Sequence, residues 1–367
     1  MKRINPLRYY LNNRKKMILL LAIISIAVFC ISSIMTLVSS VYDTSRKANV
    51  DVFNYFSIVQ ESRENANEWV LKNENSFQCY DLNVTTTSIT TILGTTSSYI
   101  IAVNDMEGLL AQLDVNIIEG NNPVEGKGEI LLNSNVAKNK KLKVGDSIGD
   151  FTVCGIFDGD MQIGFCYMSD FSNTYGSYAT SMLIVPTEGI DISKVNELCN
   201  EFSNDNKNTD KTVDKKIELV TRETQLKTLD DEFETMNIIM NIIVIMVSIS
   251  LAIAVAAFVY ASYANRNEEF AIYYAIGYGV RDIIRLILEE TIYISAFAYA
   301  LGNCISVIIM KIVDLRVYKP IGQAMGVVSG HNIGVTLIIP ILVILFSGVP
   351  VIYKLKKMDL LMLIERR

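Results

Sequence analysis

The chain has 367 residues, half of them apolar and 20% charged, and its mean hydropathy is positive. This is unusually apolar for a soluble protein, and the excess lies in one block near the N-terminus and three blocks in the last third. The formal net charge of −6 argues against a nucleic-acid partner, and the single histidine argues against a Cys/His zinc site.

Four stretches are predicted to cross a membrane as helices. They are residues 17–41, 236–264, 291–313 and 332–353, and each contains at most one charged residue. At about 1.5 Å per residue, each stretch is long enough to cross a hydrocarbon core of roughly 30 Å. The sequence therefore predicts a membrane α-helical bundle of four transmembrane helices.

The first stretch has a second interpretation, because residues 1–16 before it hold six basic residues and no acidic one. A secretory signal peptide also starts with basic residues, but its apolar core is shorter and ends at a small-residue cleavage site. Residues 17–41 end in Leu-Val-Ser-Ser-Val, which is a poor cleavage site. We therefore expect an uncleaved first span, with its basic N-terminal segment in the cytoplasm.

Four spans return the C-terminal tail, residues 354–367, to the cytoplasmic side as well. Residues 42–235 then lie outside the cytoplasm and hold 16 basic against 31 acidic residues, a net charge of −15. Residues 265–290 are predicted to form a cytoplasmic segment, and residues 314–331 an external loop. The predicted order is a 1+3 arrangement, with a large extracytoplasmic domain inserted between the first and second spans.

The external domain is predicted to be an α+β domain. Residues 42–75 contain neither Gly nor Pro and predict a helix that continues the first span, and residues 222–235 predict a helix that leads into the second. These two helices form either a stalk or ordinary surface helices. Runs rich in Thr, Ile and Val predict strands, with short helices and a charged loop beside them. The strands are residues 84–92, 98–103, 129–133, 147–157 and 181–185, the helices 136–141 and 192–203, and the loop 204–216.

No pattern typical of an enzyme is found. The loop at residues 120–128 has five residues between its first two glycines, and a glycine follows Lys127, whereas a nucleotide-binding Walker A loop needs four residues and then Ser or Thr. His331, the only histidine, lies beside a predicted span, which excludes a histidine-based triad in the external domain. We predict no catalytic, metal or cofactor site. The disulfide state is left open for the external cysteines, Cys79, Cys154, Cys166 and Cys199.

The cytoplasmic segment 265–290 carries the most informative pattern. Aromatic residues recur at helical spacing from Phe270 onwards, and Arg266 and Glu269 lie one turn apart on a predicted polar side. Gly277 is predicted to end this helix and Gly279 to turn the chain towards the third span. A short amphipathic helix of this kind either docks into a groove on a partner or lies at the membrane surface without one.

The same residues resemble a known family, the FtsX-like permeases, including the MacB type. The resemblance to the family's loop between the second and third spans lies in the motif Arg266-x-x-Glu269-Phe-Ala-Ile-x-x-Ala275-Ile-Gly277 with Leu288-Glu289 after it. Residues 350–364 are similar to the family's closing segment, and residues 119–157 resemble the MacB-type extracytoplasmic domain. The chain departs from the family pattern at Tyr274, where Arg or Lys is usual, and at Met358-Asp359, where a proline is usual.

The resemblance implies the permease subunit of an ABC transporter. Two such chains, as a homodimer or a heterodimer, bind two copies of a separate ABC ATPase, which holds the ATP and Mg²⁺, so that this chain binds no cofactor. Closure of the ATPases pushes on residues 266–277, and the spans transmit the push to the external domain. The residues implied to contact the ATPase or to support that contact are Arg266, Glu269, Phe270, Ala271, Ile272, Ala275, Gly277 and Glu289.

The resemblance further implies a bacterial plasma membrane and export or extraction of a peptide, antimicrobial or lipid-linked substrate. An extracytoplasmic adaptor or substrate protein is a further implied partner. One alternative is an FtsX-type mechanotransmitter that activates a cell-wall hydrolase. Others are a receptor for an external ligand and a pore-forming channel.

No internal repeat is present, so a working unit is expected to need two chains. Small residues in the third span would let helices approach closely, either between two chains or within one. They are Ala296, Ala298, Ala300 and Gly302.

Overall fold

The computed structural model describes residues 13–175, 181–205, 217–264 and 266–357. The helices in chain order are α1 (Arg14–Asn49), α2 (Asn67–Lys72), α3 (Met106–Gln112), α4 (Ser134–Lys140), α5 (Met168–Tyr175), α6 (Ile192–Asp205), α7 (Arg222–Ala264), α8 (Asn267–Ala275), α9 (Val280–Val313), α10 (Gly330–Thr336) and α11 (Ile338–Lys357). The strands are β1 (Ser57–Val59), β2 (Phe77–Thr91), β3 (Gly94–Val103), β4 (Asn116–Gly120), β5 (Glu129–Asn133), β6 (Ser147–Ile148), β7 (Phe151–Asp158), β8 (Gly164–Tyr167), β9 (Ser181–Pro186) and β10 (Leu219–Val220).

These elements form two compact units. The helix unit comprises Met1–Leu37, Thr235–Ile312 and Gly326–Arg367, and the sheet unit comprises Val38–Glu234 and Val313–Met325. Only the described residues of each unit are characterised below. The predicted basic segment 1–16, loop 204–216 and tail 354–367 lie wholly or partly outside the described ranges.

The described part of the chain contains four helical segments that are long and apolar enough to cross a membrane. They are α1, α7 as far as Ala261, α9 with the turns that follow it to Ile321, and Gly330–Pro350 across α10 and α11. Each of the four stretches predicted from the sequence overlaps one of these segments. The third helix already begins at Val280, so the second half of the predicted segment 265–290 is part of it.

Small residues let α1 and α9 approach closely in the helix unit. Ser25 Oγ donates to the carbonyl oxygen of Ala298 at 3.0 Å, and the hydroxyls of Ser33 and Ser306 are 3.0 Å apart. A Cβ atom at Gly302 would lie 2.6 Å from the carbonyl oxygen of Ser25. Two of the small residues of the third span therefore pack within one chain, which is one of the two arrangements left open by the sequence.

We expect Gly302→Leu to destabilise the helix unit by about 1–3 kcal/mol, because the larger side chain must push α1 away from α9. Ala300→Leu is the matched control, since Ala300 is exposed on the same helix. The measurement is thermal unfolding of the detergent-solubilised protein. Equal unfolding temperatures for the two variants would contradict the close α1–α9 contact.

The sheet unit is built on a mixed sheet of ten strands. Its strand order is β10-β1-β9-β2-β3-β8-β5-β7-β4, with β6 paired to β7. The β3–β8 and β5–β7 pairs are parallel and the other pairs are antiparallel. The long β2–β3 hairpin runs from the pair Leu82–Val103 to the pair Thr91–Gly94. This arrangement confirms the predicted α+β character of the domain.

Both faces of the sheet are covered by apolar side chains. One face packs α3 through Leu109 onto a core that includes Phe157 and Phe165. Another cluster packs α4 through Val136 against Ile130. Strands that are buried on both faces need apolar residues at every position. Several strands, such as β9, are therefore continuous apolar runs in which buried and exposed residues do not alternate.

The predicted helix over residues 42–75 is wrong beyond Asn49. The chain instead forms a 3₁₀ turn at Asp51–Asn54 and then β1, and it buries Val52, Phe53 and Phe56 completely in the core of the sheet unit. β-branched and aromatic residues that can fill a core favour a strand over a surface helix. At the other end of the domain, the predicted helix over residues 222–235 is confirmed as the first part of α7.

The predicted loop 314–331 is also more ordered than expected. Asp314–Tyr318 forms a π-helical turn and Lys319–Ile321 a 3₁₀ turn, and both belong to the sheet unit. The Tyr318 side chain is fully buried, and its hydroxyl lies 2.8 Å from Ser40 Oγ. Val313–Met325 is named the returning segment below.

The four cysteines of the sheet unit, Cys79, Cys154, Cys166 and Cys199, are free thiols in this structure. Burial raises the pKa of the thiols of Cys79, Cys166 and Cys199 to about 12. Burial also raises the pKa of the Cys154 thiol to about 11. These thiols therefore stay protonated at neutral pH and are poor nucleophiles.

Candidate functional site

The candidate site is the helix α8 with the turns at its two ends. Gly277 has a φ of +100°, and the backbone N–H of Tyr278 donates to the carbonyl oxygen of Tyr273 at 3.0 Å. This left-handed glycine ends the helix as predicted. The backbone N–H of Gly279 then donates to the Asp282 carboxylate at 3.0 Å at the start of α9. The turn between α8 and α9 is thus fixed by local hydrogen bonds.

Arg266 holds α8 to the base of α9. Its guanidinium forms two hydrogen bonds to Glu269, from Nε at 2.8 Å and from Nη2 at 3.2 Å. It also forms two to Glu290 on α9, from Nη1 at 2.6 Å and from Nη2 at 3.2 Å. Two bidentate contacts by one guanidinium fix direction as well as distance. One cation therefore ties the helix that begins beside it to the third helix.

The surroundings of this ion pair are apolar and aromatic. Arg266 is 3% exposed and Glu290 is 1% exposed. The guanidinium carbon lies 5.0 Å from the centre of the Phe270 ring and 5.5 Å from that of Tyr263, so the cation also interacts with two aromatic faces. Tyr273 completes the cluster by donating from its hydroxyl to Glu269 at 2.9 Å.

The Arg266 cation is strongly maintained. Burial alone would lower the pKa of the guanidinium, but the hydrogen bonds to Glu269 and Glu290 more than offset it and raise the pKa above its ordinary value. The Arg266 side chain is 2% exposed, which corrects the prediction that Arg266 and Glu269 lie on a polar side. This face of α8 is buried, and its polar groups are bonded to one another: the Arg266 guanidinium binds the carboxylates of Glu269 and Glu290.

Glu290 was not among the residues predicted from the sequence, which named Glu289 instead. Glu289 accepts a hydrogen bond from Arg285, which lies one turn earlier on the same helix. The Arg285 side chain is 71% exposed. A signal for Glu290 was present, since the apolar stripe of α9 runs through Ile283 and Ile287 to Ile294 at helical spacing. Glu290 falls on this stripe and Glu289 does not.

The structure divides the predicted coupling residues into two sets. Arg266, Phe270 and Ala271 are buried inside the helix unit, and Glu269 is half-buried. The opposite face of α8 is exposed. It consists of Glu268, Ile272, Ala275, Ile276 and Gly277.

This exposed set, named the docking face below, is apolar at its centre. Ile272 is 55% exposed and Ile276 is 62% exposed, and both lie on one side of the helix at a spacing of four residues. Ile276 was missed by the sequence prediction, although its spacing from Ile272 was visible. A stable apolar face on a rigidly held helix can bind a groove on a partner protein.

The described residues contain no group of three or more His, Cys, Asp or Glu side chains that could hold a metal ion. In the sheet unit, a polar cavity of about 310 Å³ lies beside α2 and β2. Its charged lining residues are Arg63, Glu74, Asp81 and Asp105. Arg63 Nη1 donates to the carbonyl oxygen of Cys79 at 3.4 Å, which fixes the cation at the wall of this cavity.

Comparison with known proteins gives two kinds of match. Residues 241–360 match the family model described as FtsX-like permease C-terminal. Among solved structures, the sheet unit is similar to the periplasmic region of MacB from Actinobacillus actinomycetemcomitans, with 11% identity, a TM-score of 0.31, and coverage of 48% of this chain and 92% of that chain. The extracellular domain of the noncanonic ABC-type transporter YknZ from Gram-positive bacteria has 14% identity and a TM-score of 0.30, and covers 43% of this chain and 96% of that chain. No curated protein matches the chain.

The chain thus combines four helical segments that are long and apolar enough to cross a membrane with a region, residues 241–360, that is similar to the FtsX-like permeases. The match to residues 241–360 includes α8, the docking face and Glu290, so this part of the chain is similar to the C-terminal part of the FtsX-like permeases, as the sequence motif indicated.

Proposed function

We propose that this chain couples ATP hydrolysis on a separate ABC ATPase to movement of its sheet unit, for export or extraction of a peptide, antimicrobial or lipid-linked substrate. All four apolar segments cross the plasma membrane of a bacterium, both termini lie in the cytoplasm, and the acidic sheet unit lies outside. Two chains form the working unit, because the described residues contain a single set of four apolar segments. The docking face receives the ATPase.

The carrying observation is the combination of an exposed apolar face and a buried ion pair on one short helix. Ile272 and Ile276 point away from the helix unit, whereas Arg266 on the buried side is held by two carboxylates. An isolated helix of nine residues is marginal in water, so its stability comes from the contacts on its buried side. Those contacts keep the docking face in one orientation without a partner.

The ion pair also gives the push a route into the spans. A force applied to Ile272 and Ile276 reaches α9 through Arg266 and Glu290, and it reaches α7 through the turn that joins α7 to α8. α7 is one continuous helix from Arg222 to Ala264. Its C-terminal end leads to α8, and its first residues, up to Glu234, belong to the sheet unit. Stiff elements of this kind are required for coupling over a distance.

The test is binding of an ABC ATPase, which we expect to be encoded by a neighbouring gene, to permease chains in nanodiscs. We expect the double substitution Ile272→Asp and Ile276→Asp to weaken binding by more than about tenfold, because each buried isoleucine contributes roughly 1.5–3 kcal/mol. Stimulation of ATP hydrolysis should fall in parallel. The matched control is Ile118→Asp on β4, since Ile118 is 56% exposed and Ile272 is 55% exposed.

Normal ATPase binding by the double variant would show that the docking face does not bind the ATPase. Absence of ATPase binding by the wild type would remove the ABC coupling mechanism altogether. In either case, insertion and folding of the chains are checked by thermal unfolding, so that a misfolded variant is not counted.

The alternative of a receptor for an external ligand is favoured by one observation, the polar cavity beside α2 and β2. Arg63, Asp81 and Asp105 give this cavity both signs of charge, which suits a zwitterionic or peptide-like ligand. An FtsX-type activator of a cell-wall hydrolase would use the same docking face. It differs in its output, which is hydrolase activation without movement of a substrate.

A further inference from the structure

The tip of the β2–β3 hairpin is apolar and exposed. The turn between Thr91 and Gly94 consists of Ile92, which is 47% exposed, and Leu93, which is 60% exposed. Turns between strands are ordinarily rich in Gly, Asn, Asp and Ser. Two adjacent exposed aliphatic side chains at such a turn are therefore a candidate contact with an apolar environment.

The base of this tip is joined to the chain segments that lead into the spans. Thr90, two residues before Ile92, is bonded through its carbonyl oxygen to Gln323 Nε2 at 2.6 Å and to Asn139 Nδ2 at 2.9 Å. Asn139 Nδ2 also donates to the carbonyl oxygen of Ile321 at 3.1 Å. Gln323 and Ile321 belong to the returning segment, which directly follows the apolar helix α9 and ends just before Gly326.

The first helix is joined to the same end of the sheet unit. Thr44 on α1 and Ala324 of the returning segment exchange hydrogen bonds of 3.2 Å through the Thr44 hydroxyl. Asn49, the last residue of α1, donates to the hydroxyl of Thr96 on the hairpin at 3.0 Å. The hairpin is therefore bonded to both stretches of the sheet unit that are continuous in sequence with the apolar helices.

A basic cluster lies beside the tip. Residues 134–143 contain four lysines and no acidic residue, whereas residues 42–235 as a whole hold 16 basic against 31 acidic residues. Asn139, which binds Thr90, lies within this run. The cluster consists of the exposed Lys138, Lys141 and Lys143 and the half-buried Lys140, and none of them forms an ion pair with another described residue.

We propose that the hairpin tip and this lysine cluster form a lipid-binding surface on the sheet unit. Ile92 and Leu93 enter the interface of a lipid bilayer, and the lysines bind the anionic headgroups around them. An apolar tip and a polybasic patch are two signals that reinforce each other at an anionic membrane.

The test uses tryptophan quenching in nanodiscs. The chain has a single tryptophan, and Trp69 stacks on Phe202 at 4.5 Å inside the sheet unit, so it provides a constant background. Leu93→Trp is compared with Leu71→Trp, because Leu71 on α2 is 59% exposed. The nanodiscs contain phosphatidylglycerol and lipids brominated near the headgroup end of the acyl chain. We expect quenching at position 93 to exceed quenching at position 71 by roughly twofold or more.

A second arm tests the headgroup. Lys138, Lys140, Lys141 and Lys143 are changed to glutamine in the Leu93→Trp background, and the same measurement is repeated in nanodiscs of phosphatidylcholine alone. Quenching should fall in both cases and should fall with added salt, because headgroup attraction is screened within about a Debye length. Ile92→Trp serves as a second probe if Leu93→Trp lowers the unfolding temperature.

Equal quenching at positions 93 and 71 would overturn the proposal. A blue-shifted emission at position 93 without quenching by brominated lipid would also overturn it, and would assign the tip to a protein contact. Quenching that is independent of the lysines and of lipid charge would overturn the headgroup assignment.

Discussion

Replacing Arg266 with alanine is expected to destabilise the helix unit by about 3–5 kcal/mol, the range found when one partner of a buried ion pair is removed. Glu290 would remain as an uncompensated carboxylate that is 1% exposed. The double substitution Arg266→Met and Glu290→Met should recover most of that loss, because it removes both charges and retains side-chain volume. The measurement is the unfolding temperature of the solubilised protein, combined as a double-mutant cycle.

Arg285→Ala is the matched control, since Arg285 pairs with Glu289 at 3.0 Å with its side chain 71% exposed. An exposed pair of this kind contributes about 0–1 kcal/mol. The cycle also separates stability from coupling. The Met–Met chain should fold but should stimulate the ATPase less than the wild type, because apolar side chains do not fix orientation as two bidentate contacts do. A stable single Arg266→Ala variant would be inconsistent with the buried pair.

Gly322→Ala is expected to detach the returning segment and to lower the stability of the sheet unit by about 2–4 kcal/mol, from left-handed backbone strain together with a steric clash. Gly322 has a φ of +64°, and a Cβ atom there would collide with the backbone carbonyl of Asn135 at the start of α4. Hydrogen exchange of the Gln323 and Ala324 amides in the full chain reports the detachment, and thermal unfolding reports the loss of stability.

Gly126→Ala is the control for this substitution. Gly126 has a φ of +82° but lies in open space, so that alanine there introduces strain without a clash. It should cost about 1–2 kcal/mol. If both substitutions have the same effect, the close contact between Gly322 and Asn135 does not matter for stability.

Local signals were sufficient for several elements of the fold. The four apolar helices are long runs with at most one charged residue. No other secondary structure is compatible with so long an apolar run, so the sequence predicts them directly. β5 was predicted with its exact limits, because Glu129–Asn133 is a compact apolar run between turns rich in glycine. The end of α8 was predicted because Gly277 can adopt a positive φ at no steric cost.

Other elements depend on tertiary contacts and were missed for that reason. β1 has three residues and β10 has two; β10 is the edge strand and pairs with β1, and β1 also pairs with β9 on its other side. β2 begins at Phe77, seven residues before the predicted strand, because its first half pairs with β9. Residues 42–75 read as helical locally, but Phe53 and Phe56 are required to fill the core.

For the candidate site, the helix α8 and its residue types could be predicted from the sequence. The partner of Arg266 on another helix could not. Arg266 and Glu269 were paired by spacing, whereas Glu290 comes from the next helix and is separated from Arg266 by 24 positions. The division of the site into a buried side and a docking face also required the packing of Phe270 and Ala271 against the helix unit.

Glu290 also bears on how the chain is inserted into the membrane during synthesis. A lone charged residue within a translocating helix costs about 2.5–3.5 kcal/mol at the helix centre, and less near its end. Arg266 precedes Glu290 in the chain, so its cation is already present when α9 leaves the ribosome. If the second and third spans enter the bilayer as one hairpin, Glu290 does so bonded to Arg266 and not as an isolated carboxylate.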